Sequence, residues 1–364
     1  MNIELPISKF RNEKYCKYFI QKINEINNGD NICFMEICGT HTHSFFKYGL
    51  KSLIPENIKL ISGPGCPVCV TPAERIDKII QYSKIKNIII TTFGDMFRVP
   101  GTDSSLEKEK SLGADIRIIY SPIESIQIAK NYTEKKIIFL GVGFETTIPA
   151  VATTLLLAQK MNLKNWFLFS AHKLIPPAIM FLANSPELRI NGLMCPGHVS
   201  TIIGSVPYEP IAKQFKIPCV ITGFEPVDML EGIYMLLKQY IEKRYEVEIQ
   251  YKRVVQKNGN IKAVNLMYDV FEITDSGWRG IGQIPESGLK IRTEFNRFDI
   301  EYVIPIYDIQ TSKEPKECIC GEILKGTKLP YDCKLFRKIC SPENPIGACM
   351  VSSEGTCSAY YKYL

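Results

Sequence analysis

Thirteen cysteines and four histidines are the residues of this 364-residue chain best equipped for metal or redox chemistry. The stretch "GPGCPVCVTPAE" (63–74) holds Cys66 and Cys69 in a C-x-x-C pair, and "CGTHTH" (38–43) adds Cys38, His41 and His43. Thiolates bind soft metals and exchange disulfides, and both activities improve where backbone N–H groups stabilise the negative sulfur. Cys38, Cys66, Cys69 and one of the two histidines fit a Cys₃His zinc site, a redox pair or an iron-handling site. The remaining histidines, His172 and His198, also follow apolar runs, the second in "CPGHVS" (195–200). Each alone reads as readily as a packed structural residue. Their shared placement favours function for His41 and His198.

A second thiol group fills the tail. Cys318, Cys320, Cys333, Cys340, Cys349 and Cys357 lie in a Pro- and Gly-rich segment with little apolar periodicity. Such a segment needs something other than a core to fold around. Its cysteines suit Cys₄ zinc or a [4Fe–4S] cluster, and the absence of paired C-x₂-C knuckles leans toward the cluster.

These groups need a scaffold that brings them together. Runs at 31–39, 58–63, 85–94, 115–121, 136–145, 165–172, 190–198 and 217–225 read as strands, alternating with helical patterns at 72–83, 148–161 and 226–243. That alternation predicts βα units and parallel sheets, whose carboxyl-end loops converge and form sites. Thr71-Pro72-Ala73-Glu74 reads as a capping box opening the helix at 72. Two further strands are expected at 246–256 and 261–273 around the turn "KNGN". The tripeptide Gly-Phe-Glu ends two strands, at Glu145 and Glu225, each followed by a helix with proline in its first turn, Pro149 or Pro226. Both glutamates suit a helix-start carboxylate or a salt bridge. Arg98 is a positive group for an anion or partner, or a surface ion pair. Phe93, Phe97, Phe144 and Phe224 read as packing.

Composition narrows the class. The net charge of +6 is spread along the chain, with no basic stripe for nucleic acid. No apolar run is long enough for a membrane helix, and "MNIELPISKFRNEKY" lacks the apolar core of a signal peptide. A cytoplasmic location is expected, where structural disulfides do not persist, so the thiols call for metal or redox chemistry.

Seven motifs together carry a resemblance to the HypD family of hydrogenase maturation proteins. They are "CGTHTH" (38–43), "GPGCPVCVTP" (63–72), "TTFGDMFRVPG" (91–101), "GVGFETT" (141–147), "CPGHVS" (195–200), "GFEPVD" (223–228) and "PENPIGACMVSSEGTC" (342–357). They run in family order across nearly the whole chain. The resemblance implies an α/β fold: two doubly wound parallel-sheet lobes facing a cleft, plus a small Cys-rich C-terminal iron–sulfur region. Segments 1–114 and 115–244 are expected to be the two lobes, 245–310 a connecting, partly β segment, and 311–364 the cluster region. It further implies a scaffold that, with a HypC-type chaperone, holds iron while the Fe(CN)₂(CO) group of [NiFe]-hydrogenase is assembled. HypE would deliver cyanide transiently, and the hydrogenase large subunit would receive the product. By motif, Cys38 would bind that iron with His41 beside it, and Cys66 and Cys69 would be the redox pair. Glu145, His198 and Glu354 would be cleft or cluster-side groups. Four of Cys318, Cys320, Cys333, Cys340 and Cys357 would bind a [4Fe–4S] cluster, with Cys349 the spare thiol. A conventional multiple-turnover enzyme is not implied. The competing expectations are an iron–sulfur thiol–disulfide reductase, which would not need Cys38, and a zinc-stabilised interaction module.

Overall fold

The computed structural model describes residues 9–307, 315 and 317–364. The first eight residues of the leader reading and the 310/311 boundary lie outside the described residues. Each of the eight apolar runs that alternate with helices forms a strand, trimmed at its ends. These are β1 (Ile32–Glu36), β2 (Ile58–Ser62), β3 (Ile88–Thr92), β4 (Asp115–Ile118), β5 (Lys136–Gly141), β6 (Trp166–Ser170), β7 (Gly192–Pro196) and β8 (Cys219–Thr222), joined by the short β9 (Val247–Ile249). They pair in parallel as two sheets, ordered β2-β1-β7-β8-β9 and β4-β3-β5-β6. Strands β3 and β7 are buried along their whole length, as parallel strands covered on both faces must be. Helix Pro226–Ile241 packs on β7 and β8, and helix Pro122–Asn131 packs on β5 and β6.

The sheets do not follow the boundaries 1–114 and 115–244. The chain leaves the five-stranded sheet after β2, builds the four-stranded sheet with β3 to β6, then returns with β7 to pair with β1. Gly192 allows that return. A Cβ there would lie 2.8 Å from the Phe34 ring on the neighbouring strand.

Three local readings are corrected. Residues 261–273 are not one strand: helix Ile261–Val270 comes first, capped by the Asn260 side chain on the Ala263 N–H at 3.1 Å. Its Val264, Met267 and Val270 recur every third position, which is helical spacing. The strand β10 (Phe271–Trp278) follows and pairs antiparallel with β11 (Gly282–Ile291) in a hairpin. Of 246–256, only β9 is strand. The third correction concerns Thr71. It does not cap the next helix; its hydroxyl donates to the Pro67 carbonyl at 2.8 Å, closing the short helix Pro67–Val70. Helix Ala73–Ser83 then starts after Pro72. In the tail, helices Cys320–Leu324 and Thr356–Tyr363 flank loops and single turns.

Because β1 and β2 are neighbours, their carboxyl-end loops meet. The Gly63 N–H donates to the Glu36 carbonyl at 2.8 Å and the Gly39 N–H to the Gly65 carbonyl at 3.2 Å. Gly65 lies so close to Cys38 that a Cβ would fall 2.4 Å from both the Cys38 N and Cα. A methyl group at 65 must therefore drive the two loops apart. Gly65→Ala is expected to cost about 2–3 kcal/mol of unfolding free energy, the scale of an overpacked core. Gly94, whose nearest neighbour to such a Cβ is Ile118 Cγ2 at 3.8 Å, is the control. Gly94→Ala should change stability by no more than about 1 kcal/mol. Denaturant unfolding of both variants checks the contrast, and equal losses would refute it.

Candidate metal and thiol site

Cys38 is the residue before helix Gly39–Lys47, in an extended conformation, and is only 7% exposed. Burial pushes its thiol up to about 12, reinforced by the Glu354 carboxylate and opposed by the Thr40 and His41 N–H groups and the Thr40 hydroxyl. Cys66 precedes helix Pro67–Val70, and its sulfur accepts the Cys69 N–H at 3.2 Å. Cys66 and Cys69 form a disulfide, their Cα atoms 5.3 Å apart.

The tail completes this rim. A Cβ on Gly39 would lie 2.2 Å from the Glu354 carbonyl oxygen, so the "SSEGTC" loop rests on the Cys38 helix start through bare backbone. The Thr40 hydroxyl donates to Glu354 Oε1 at 2.6 Å, and the Ser352 hydroxyl to Asp95 Oδ2 at 2.6 Å. Among the described residues Arg98 forms no ion pair. Its Nη1 donates to the Pro342 carbonyl at 3.0 Å and its Nη2 to the Val351 carbonyl at 3.5 Å, tying the tail down. Helix Pro67–Val70 packs directly on the turn Ala348–Met350 that carries Cys349. Thus Cys38, the Cys66–Cys69 disulfide, Glu354 and Cys349 belong to one packed region.

The histidines divide. His41 is fully buried; its Nε2–H donates to the Thr222 carbonyl at 3.0 Å, leaving Nδ1 without a partner among the described residues. Burial holds its imidazole down to about 4, and it is neutral at pH 7. Phe224 lies between His41 and His198, with ring centroids 4.8 and 3.9 Å away. His198 is exposed, so this stack runs from the interior to the surface. His43 instead meets the Tyr363 hydroxyl at 3.2 Å in the last helix. His172 is buried near Ser170, its Nδ1 3.0 Å from the hydroxyl.

In the tail, Cys318, Cys320, Cys333, Cys340 and Cys357 line one small apolar cavity with Gly347. A Cβ on Gly347 would lie 2.5 and 2.6 Å from the Cys320 and Cys318 sulfurs, so glycine keeps this cradle open. Hydrogen bonds from Cys320 and Cys357 pull the Cys349 thiol below its ordinary range, while Cys357 is raised. Among the described residues no three His, Cys, Asp or Glu side chains are gathered closely enough to hold a single metal ion. Zinc needs all its donors about 2.0–2.3 Å from one centre. A cluster gives each thiolate its own iron and spreads the donors, so the cavity suits a cluster better than a lone zinc.

Glu145 stands apart from the thiol rim. It is buried in the loop after β5, and its Oε1 accepts the Ile175 N–H at 3.0 Å while Oε2 has no partner among the described residues. Glu225 precedes helix Pro226–Ile241 and pairs with Arg11, as a helix-start carboxylate in a salt bridge. Phe93 packs on Phe139 and Phe144 on Trp278, as packing residues. The sequence reading missed Thr40, Asp95 and Ser352, whose partners are hundreds of positions away.

A family model described as HypD, hydrogenase formation hypA family, matches residues 14–364. The hydrogenase maturation factor HypD2 of Bradyrhizobium diazoefficiens is 47% identical over 338 residues, covering 91% of this chain and 89% of that protein. HypD1 of the same organism is 42% identical over 98% of this chain and 96% of its own length. The hydrogenase maturation factor HypD of Escherichia coli is 44% identical over 90% and 88%. Among the described residues no helix is long and apolar enough to cross a membrane.

Burial raises the Glu145 carboxyl from 4.5 to about 7. The folded state keeps this proton to a higher pH than the unfolded chain. The side chain's contribution is therefore fully present below about pH 4.5 and falls by about 3 kcal/mol as pH rises through 7. Glu145→Gln removes the titration. The variant should gain on the wild type by about 3 kcal/mol between pH 4.5 and 8, read as the difference in unfolding free energies. A pH-independent difference would refute the assignment.

Proposed function

The chain belongs to the HypD family of hydrogenase maturation factors, and from that premise we propose that it is the scaffold on which, with a HypC-type chaperone, iron is held at Cys38 while cyanide and carbonyl ligands are added. HypE would act as transient cyanide donor, and the hydrogenase large subunit as eventual recipient. The observation that carries the reading is the convergence at Cys38. The C-x-x-C loop touches it through Gly65, and the tail touches its helix start through Gly39 and Thr40. A soft, low-spin iron cargo prefers thiolate to carboxylate, and Cys38 is a free thiol at this rim.

Each neighbour has a part in this reading. The Thr40 and His41 N–H groups would stabilise the Cys38 thiolate, and the anionic iron–cyanide unit would gain from the same helix start. Thr40 orients Glu354 toward the rim. Neutral His41, fixed by the Thr222 carbonyl, would offer Nδ1 as a proton acceptor inside the site, with Phe224 and His198 shielding it from water. Cys66 and Cys69 would supply the redox couple, as disulfide or dithiol. Cys333, Cys340, Cys357 and one of Cys318 and Cys320 would hold the family's [4Fe–4S] cluster; the lining of one apolar cavity by these cysteines supports that reading. When bound, the cluster supplies one-electron chemistry beside the disulfide.

Infrared and visible spectroscopy of anaerobic protein purified with its chaperone separate these roles. Cys38→Ala should lose the cyanide and carbonyl stretches while keeping the broad cluster absorption near roughly 400 nm. Cys66→Ser and Cys69→Ser should keep that absorption and abolish hydrogenase maturation. Wild-type infrared bands in Cys38→Ala, or wild-type maturation in either serine variant, would overturn the proposal.

A further inference from the structure

Away from the thiols, the segment after β6 carries a buried amine that the scaffold reading does not use. Lys173 is 2% exposed, and its backbone is clamped: the N–H donates to the Gly143 carbonyl at 3.1 Å, and the residue bridges to Gly288 on β11. Its Nζ lies 2.8 Å from the Ser276 hydroxyl and donates to the Gly277 carbonyl at 2.5 Å. Among the described residues no carboxylate comes within ion-pair distance of it. A buried ammonium without a counter-charge is costly, and burial, aided by Arg75, holds this group down to about 7. As the free amine, Nζ keeps an N–H for Gly277 and offers its lone pair to the Ser276 O–H.

The hairpin is shaped around that serine. Thr274 opposes Gly288 and Ser276 opposes Ile284, so between them Asp275 alone faces Pro285, Glu286 and Ser287. Such irregularities re-aim side chains and are over-represented beside active sites. Gly288 leaves the room: a Cβ there would fall 2.6 Å from Ser276 Cβ and 3.1 Å from its Oγ. The other acceptor near the hydroxyl, the Gly277 carbonyl, is 3.4 Å away, a poor hydrogen bond for an O–H. Ser276 is half-buried and, with Lys173, lines a cleft of about 300 Å³ beyond the carboxyl end of β6. Carboxyl ends of parallel strands are where α/β folds bind ligands. Ser170 and His172 line the same cleft but make no comparable pair. The Ser170 hydroxyl donates to the Leu289 carbonyl at 3.1 Å, and burial holds the His172 imidazole down to about 3, too weak a base.

The charged groups lining the cleft are three cations, Arg75, Lys173 and Lys290, and four carboxylates, Glu74, Asp275, Asp299 and Glu301. Glu301 is held by Arg75 at 2.7 Å, and Lys290 pairs with Glu272 at 2.8 Å. Asp275 and Asp299 accept the Glu286 and Glu301 N–H groups, both at 2.9 Å. With no positive charge in excess, the cleft suits an uncharged ligand rather than an anion.

We propose that Ser276 and Lys173 form a serine–lysine dyad that reacts with small uncharged acyl esters. Ser276 Oγ adds to the ester carbonyl carbon as its proton passes to Nζ. The bond from that carbon to the leaving alcohol breaks, and the alcohol takes the proton from Nζ. Water then attacks the acyl-serine, its proton passing through the same amine to Ser276 Oγ, and the carboxylic acid departs.

An uncharged dialkyl fluorophosphate tests the nucleophile, because it esterifies activated serines in preference to thiols and amines. Serine oxygen displaces fluoride from phosphorus, and the stable adduct on the full chain is located by peptide mass spectrometry. The wild type should be labelled at Ser276 and should hydrolyse p-nitrophenyl acetate with turnover. Ser276→Ala should lose the label and at least tenfold in esterase rate. Lys173→Met should label at least tenfold more slowly, since a positioned general base contributes about 10²–10⁴-fold. The labelling rate of the wild type should rise as pH passes through about 7 and the ammonium gives up its proton. An unlabelled Ser276, a Ser276→Ala variant as active as the wild type, or a pH-independent labelling rate would overturn the proposal. Should Lys173→Met not fold, the site of the label and the pH profile decide alone.

Discussion

Main chain pressed against main chain at Cys38 is the constraint on which the rest of the site depends. Gly65 and Gly39 each lie where a side-chain carbon would overlap the facing backbone, of Cys38 in one case and of Glu354 in the other. Contacts of this kind leave the loops little freedom to slide, because interiors are close-packed and relax poorly around an added atom. The sulfur of Cys38 is therefore positioned by three loops at once, rather than by its own rotamer. Adjacency of β1 and β2 makes the first contact available, and the tail makes the second. Removing either would leave a thiol on an ordinary helix start.

The path of the chain follows from the same demand. Strand β7 returns from the four-stranded sheet to lie against β1, so the "CPGH" loop arrives next to the "CGTH" loop and Thr222 on β8 can accept from His41. Two self-contained lobes, each built from consecutive strands, would place His198 and Cys38 on different sheets. The crossed connectivity puts His198, Phe224 and His41 on one sheet rim with Cys38, and leaves Glu145 and Lys173 on the other.

The strands were legible because each is a short apolar run ending in glycine or small residues. The long helix Pro226–Ile241 was legible from its apolar spacing and early proline. The order of strands in each sheet was not. A parallel strand buried on both faces reads as uniform apolarity, which carries no information about its neighbour. The helix at 261–270 was hidden because Ile, Val and Tyr also suit strands, and only the Asn260 cap and three-residue spacing distinguish it. The convergence of Cys38 with Cys66 and Cys69 could be anticipated from the sheet rule alone. The grip of the tail could not: Thr40 and Glu354 are 314 positions apart, and nothing local to either residue announces the other. The family resemblance supplied Glu354 as a residue of interest, and the structure supplies its hydrogen-bond partner.

Two buried glutamates and two buried histidines around these sites share one tendency. Desolvation pushes Glu36 and Glu145 up to about 7 and holds His41 and His172 down to about 4 and about 3. Each shift favours the uncharged form, so the interior carries little fixed charge of its own. A low-dielectric interior magnifies any charge that does appear. For a scaffold proposed to accept an anionic iron unit and to cycle a thiol pair, that neutrality has a consequence. The charge of the cargo and of the reduced sulfurs would then be felt chiefly by the helix-start N–H groups at Thr40, His41 and Cys69, which lie at the rim itself. Lys173 follows the same tendency: burial, aided by Arg75, holds its ammonium down to about 7. At the thiol rim those N–H dipoles are already in place and already buried, so they answer an arriving negative charge without a further desolvation cost.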